Sequence, residues 1–154
     1  MKSTLILGIG NDILKDDGIG IRLVEDLKKK DFPEGIRFFT INLGGLETLE
    51  IIKDFRKVII LDAIKTRNGV PGDIYFFTPE DFSETLHLSN LHDINFLTSL
   101  ELAKRVGIKV PEEIRILAIE ILEDMEFGTE FTPELAKRYP EILEQVYQDL
   151  KLFL

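Results

Sequence analysis

The chain is predicted to fold as an α/β three-layer sandwich, with a mixed, mostly parallel sheet of about five strands, one of them antiparallel, and helices on both faces. Three observations carry this. Apolar runs of strand length alternate with stretches of helical periodicity, the order that builds parallel sheets from crossover units. The turn dipeptides Asn68-Gly69 and Pro71-Gly72 stand where a crossover helix would be needed, so the strand after them should run antiparallel. The length of 154 residues matches one domain, read as a single unit over 1–154 with no repeat, linker or low-complexity tract.

In chain order, Thr4–Leu7 reads as a buried strand broken by Gly8-Ile9-Gly10-Asn11. From Gly18, Ile19, Leu23, Val24 and Leu27 line one face of a helix that ends in Lys28-Lys29-Lys30, cations that favour the negative end of a helix dipole. Arg37–Asn42 is a second strand closed by Gly44-Gly45, and Leu46, Leu49, Ile52 and Phe55 mark a short helix. Lys57–Ala63 is the most strand-like run, and it is expected to form a hairpin with Asp73–Phe77. Phe96, Leu97, Leu100 and Ala103 mark another helix, followed by a strand over Glu113–Leu122. Thr132-Pro133-Glu134 supplies a capping hydroxyl, a proline at the first helical position and an acid in the first turn. The helix it opens carries Leu135, Tyr139, Ile142, Val146, Leu150 and Phe153 on its apolar face, with a kink expected at Pro140.

Composition narrows the chemistry. With no cysteine, disulfides, zinc ribbons, iron–sulfur clusters and thiol nucleophiles are ruled out, which leaves carboxylates and two histidines to hold metals or move protons. The balance of 28 Asp and Glu against 19 Lys and Arg gives a net charge of −9, the wrong sign for gripping phosphates, so no nucleic-acid partner is expected. Val58–Leu61, the longest branched run, is far below the roughly 20 residues that span a bilayer. A soluble, cytoplasmic protein with no membrane partner is expected.

In open α/β sheets, ligands gather beyond the carboxyl ends of the parallel strands. Here that rule selects the segment from Gly8 to Gly20, the pair Gly44-Gly45, and Asp62 after Val58-Ile59-Ile60-Leu61. A dinucleotide fingerprint is incomplete, because Ile13 stands where its third glycine belongs and the helix begins late. Asp16 and Asp17 have an ordinary structural role open to them as caps for the following helix, the role favoured for Asp16. Asp62 is harder to explain that way: an acid ending a buried strand is costly unless hydrogen-bonded, paired or bound to a cation. His92 precedes a helix, where histidines are often surface or capping residues. Taken together, Asp17, Asp62 and His92 would make a site of two carboxylates and one imidazole, open to substrate.

The sequence resembles the hydrogenase maturation endopeptidases, proteases that trim the C-terminal tail of the large subunit of nickel–iron hydrogenases. The resemblance rests on Gly8-Ile9-Gly10-Asn11 with Asp16-Asp17-Gly18-Ile19-Gly20, on Gly44-Gly45, on Leu61-Asp62-Ala63, on a histidine opening the helix near 92, and on Gly128-Thr129-Glu130-Phe131-Thr132-Pro133. It implies Asp17, Asp62 and His92 as both the metal-contacting and the catalytic residues of an unusual, aspartate-based protease. It also implies nickel brought by the substrate rather than held by the free enzyme, and a hydrogenase large-subunit precursor as partner. Two departures bear on this assignment. The first acid is often Glu in the family, where this chain has the shorter Asp17. The family histidine commonly follows a Ser or Thr by two residues, whereas Ser89 lies three before His92, and His87 is the other candidate. Either the metal or a carboxylate would activate water for attack on the peptide.

Two other classes are compatible with the residues. One is a non-enzymatic nickel-binding chaperone module of the same fold, discriminated by whether a nickel-loaded precursor is shortened. The other is a nucleotide-dependent α/β enzyme, discriminated by thermal stabilisation on adding a dinucleotide.

Overall fold

The computed structural model describes residues 2–42, 46–84 and 91–154. Among them, β1 (Lys2–Gly10), β2 (Ile36–Asn42), β3 (Phe55–Ile64), β4 (Ile74–Phe77) and β5 (Glu113–Glu120) form one sheet in the order β2-β1-β3-β5-β4. All neighbours pair parallel except β4, which lies antiparallel on β5. The helices are α1 (Ile19–Leu27), α2 (Leu46–Ile52), α3 (Pro79–Glu84), α4 (Leu91–Arg105) and α5 (Pro133–Phe153), and a 3-10 turn at Lys15–Gly18 leads into α1.

Strand alternation divides the core in two. Leu61 and Ala63 of β3 join Ile6, Leu117 and Ile119 beneath α1 and α5, while Val58, Ile60 and Ile64 join Leu5, Leu7 and Ile116 beneath Ile52 of α2 and Leu100 of α4. A sheet covered on both faces needs apolar residues on both, which is why β3 is a continuous apolar run. Tyr139 ties α5 to α1 by donating its hydroxyl to Asp26 at 2.6 Å. Burial first, then that hydrogen bond and the Asp26 charge, push its phenol far above the usual range.

The structure departs from the sequence expectations at five points. β1 continues through Gly8 and Gly10 rather than breaking there. A Cβ at Gly8 would strike the Gly20 carbonyl, and one at Gly20 the Leu61 carbonyl, so these glycines let α1 lie directly on the sheet. Phe55 opens β3 instead of closing the preceding helix. The expected hairpin does not form: turn dipeptides reverse the chain but do not choose its partner, and β5 sits between β3 and β4. α3 was not anticipated, although Thr78-Pro79-Glu80 opens it with the same pattern as the last helix, and the Asp81 N–H donates to the Thr78 hydroxyl at 3.1 Å. Thr132 opens α5 where expected but makes no side-chain cap, because its hydroxyl donates to Asp16. Among the described residues no helix is long and apolar enough to cross a membrane.

Candidate active site

The strand order reverses between β1 and β3, since the chain leaves β1 for β2 on one side and builds outward from β3 on the other. Such a reversal opens a crevice at the carboxyl ends of the strands. Gly8 pairs with Leu61, so the turn following β1 and the end of β3 leave the sheet side by side.

Asp17 lies in the 3-10 turn and is only 3% exposed. Its own N–H donates to the Leu14 carbonyl at 3.0 Å, and its Oδ2 accepts the N–H of Asn11 at 3.0 Å. Asp62, 2% exposed, accepts the N–H of Ala63 on Oδ1 at 2.8 Å. By alternation it shares the face of Ile60 and Ile64, the face covered by α2 and α4. The 3-10 turn packs against β3, so the structure brings the two acids to one edge, each oriented by a backbone donor. His92 is the second residue of α4, on the helix that covers the Asp62 face. Its side chain lies outside the described residues, as do His87, Ser89 and Gly44-Gly45. Among the described residues no group of three acids or histidines is placed to hold a metal ion.

Two more acids are buried near this edge. Asp16 is fully buried and does not cap α1, whose N-cap is Gly18 with no side-chain bond. Its carboxylate instead accepts the N–H groups of Leu122 (3.2 Å), Glu123 (3.0 Å) and Thr132 (2.8 Å), and the Thr132 hydroxyl (2.8 Å). The structural role expected of Asp16 therefore holds, with different partners. Glu120 ends β5 and is 1% exposed. It accepts the Thr66 N–H at 2.7 Å, the Thr66 hydroxyl at 2.6 Å and the Tyr75 hydroxyl at 3.1 Å. Burial, and then the Glu120 hydrogen bond, raise the Tyr75 phenol above its ordinary value. Glu120 went unnoticed in the sequence although it repeats the signal that singled out Asp62, an acid directly after a buried apolar run.

Carboxylates held by backbone donors at a crevice can bind a hard or borderline cation, or accept a proton from water. Asp17 and Asp62 are the pair so placed. Asp16 and Glu120 are spent on holding loops: one anchors the segment after β5, the other the segment after β3.

Comparison with known proteins fixes the family. A family model described as hydrogenase maturation protease matches residues 21–149, which takes in Asp62 and α4 and begins four residues after Asp17. The hydrogenase 2 maturation protease of Escherichia coli strain K12 is 26% identical over 149 residues, covering 96% of this chain and 90% of that protein. The solved structure of the hydrogenase maturating endopeptidase HybD from E. coli superposes with a TM-score of 0.79 at 25% identity, covering 97% of this chain and 92% of the other. The [NiFe] hydrogenase maturation protease HybD from Thermococcus kodakarensis shares the fold, with a TM-score of 0.70 at 21% identity over 95% of this chain and 97% of its own. With the family model spanning most of its length, the chain belongs to the hydrogenase maturation protease family and is a peptidase.

Proposed function

We propose that this peptidase removes the C-terminal extension of a nickel–iron hydrogenase large-subunit precursor after nickel has been inserted, with Asp17, Asp62 and His92 around the substrate's metal. The observation that carries the reading is the pair of buried carboxylates at one strand-end crevice, on adjacent strands where the strand order reverses. Two carboxylates and an imidazole form a sparse site without thiolates, and such donors rank divalent metals by general affinity rather than selecting nickel. Selectivity then comes from the substrate, which brings nickel in its own ligands and has its coordination completed here. Seating the metal fixes the neighbouring peptide against the crevice, so binding and inspection of the metal become one event.

Hydrolysis adds water across the scissile C–N bond, the hydroxyl going to the carbonyl carbon and the proton to the leaving amine. Asp17 and Asp62 are the groups available to take the proton from water, and the metal is available to polarise the carbonyl. The Asn11 and Ala63 N–H groups hold the two carboxylates in fixed orientation before substrate arrives.

The test is incubation of the purified protein with nickel-loaded and nickel-free precursor, read by mass. Shortening of the loaded form alone is expected. Equal cleavage of both forms defeats the metal-inspecting part of the reading, and no cleavage of either defeats the whole.

A further inference from the structure

The segment between β5 and α5 carries Met125 at 79% and Phe127 at 80% exposure, and Ile13, in the turn after β1, is 50% exposed. They are not side chains scattered on a loose loop. Gly128 donates its N–H to the Ile13 carbonyl at 2.9 Å, Lys15 donates its N–H to the Gly128 carbonyl at 2.9 Å, and Leu14 and Gly128 form a parallel bridge. In that register Ile13 stands opposite Phe127, on the same side of the ribbon. The Glu123 carboxylate folds the segment on itself by accepting the Met125 N–H at 2.7 Å and the Glu126 N–H at 3.0 Å. Asp16 then fastens both ends of the segment to the turn that carries Asp17. The result is an apolar ridge, fixed in place and rigidly joined to the candidate active site.

Clustered apolar groups left in water on an ordered surface mark a contact with another macromolecule. Acids crowd the rim: Asp12, Glu123, Asp124, Glu126 and Glu130 stand against Lys15 and Lys65, and those two cations already pair with Glu126 at 2.8 Å and Asp124 at 3.5 Å. Such a rim complements an apolar segment flanked by lysine or arginine.

Resting on the function proposed above, we infer that Ile13, Met125 and Phe127 form the docking ridge for the protein substrate, seating an apolar, basic-flanked segment of the folded precursor while its scissile tail lies at Asp17 and Asp62. The ridge adds recognition remote from the cut bond, of the kind that positions a reacting group without touching it. It also gives the peptidase a way to read the body of the precursor as well as its metal.

The experiment compares wild type, the Met125→Asp/Phe127→Asp double variant and Val106→Asp, whose exposed valine lies just past the far end of α4. Affinity for fluorescently labelled nickel-loaded precursor is measured by anisotropy, and KM by cleavage. The ridge variant is expected to lose at least tenfold in affinity, with KM raised to match, while Val106→Asp behaves as wild type and all three share one melting temperature. Wild-type affinity in the ridge variant overturns the proposal, as does an equal loss in Val106→Asp. A concentration-dependent dimer of the free protein that the ridge variant dissolves also overturns it, by assigning the ridge to a second copy. If wild type binds the precursor without cutting it, the proposed function fails while the affinity comparison still decides the ridge.

Discussion

Thr132 gives both its N–H and its hydroxyl to the Asp16 carboxylate, each at 2.8 Å, across 116 positions of sequence. The residue that opens the last helix is thus bonded to the neighbour of Asp17. Because Asp16 also takes the N–H groups of Leu122 and Glu123, removing its carboxylate would strand several donors at once. Asp16→Ala is expected to lower stability by about 3 kcal/mol, the order expected when a buried charged acceptor is taken from its donors. Asp16→Asn should recover part of that, since one amide oxygen still accepts. Urea denaturation measures both, and an Asp16→Ala midpoint equal to wild type would show that the tether carries no stability.

Asp62→Asn keeps the shape of the side chain and removes its charge. Processing of nickel-loaded precursor should fall by more than about a hundredfold, the range set by loss of a group that moves protons or clamps a reacting centre. The melting temperature and far-UV circular dichroism should stay those of the parent. Full activity in the variant would remove Asp62 from the site.

His92 and His87 are separated by a direct comparison. His92→Ala should abolish processing, and His87→Ala should leave it near wild type. Failure of the His87 variant alone would move the third ligand five residues toward the N-terminus.

Metal content supplies a further check. The purified protein is expected to hold well under one equivalent of nickel by mass spectrometry, because its donor set does not select that ion over other divalent metals. One tightly held equivalent would instead describe a resident metal enzyme.

Alkaline pH should expose the Tyr139–Asp26 tie. The folded state favours the neutral phenol, whereas an unfolded tyrosine loses its proton near pH 10. Above about pH 10 the unfolded chain therefore binds fewer protons than the folded one, and this contribution, complete at lower pH, declines as pH rises. Tyr139→Phe should cost about 1 kcal/mol at neutral pH for the lost hydrogen bond. The gap between wild type and variant in urea midpoint should then narrow as the pH is raised past 10. A gap that stays constant would mean the phenol does not titrate on unfolding.

What could be read from sequence and what could not differ for physical reasons. Leu61-Asp62 was legible because burying a carboxylate after an apolar strand demands an explanation, and Asp17 was legible by its position after the first strand. Phe55 was misread because a helical spacing of Leu46, Leu49 and Ile52 runs into it without a break, although its backbone belongs to β3. The partner of β4 was not legible because turn chemistry is local and strand order is not: β5, some forty residues later, takes the place beside β3. Thr78 and Thr132 make the same point at the scale of one hydroxyl. Both precede Pro-Glu and both open helices, yet one caps its helix and the other serves a carboxylate from the opposite end of the chain.

The contact between Gly20 and Leu61 makes the active edge a mechanical gauge. The gap between the turn bearing Asp17 and the strand bearing Asp62 is held where backbone rests on backbone, with no side chain interposed whose rotamer could be changed. Repacking elsewhere in the core would then erode stability well before it altered that gap. A single methyl at position 20 would do the reverse, wedging the helix from the sheet and widening the crevice while leaving every charged group in place.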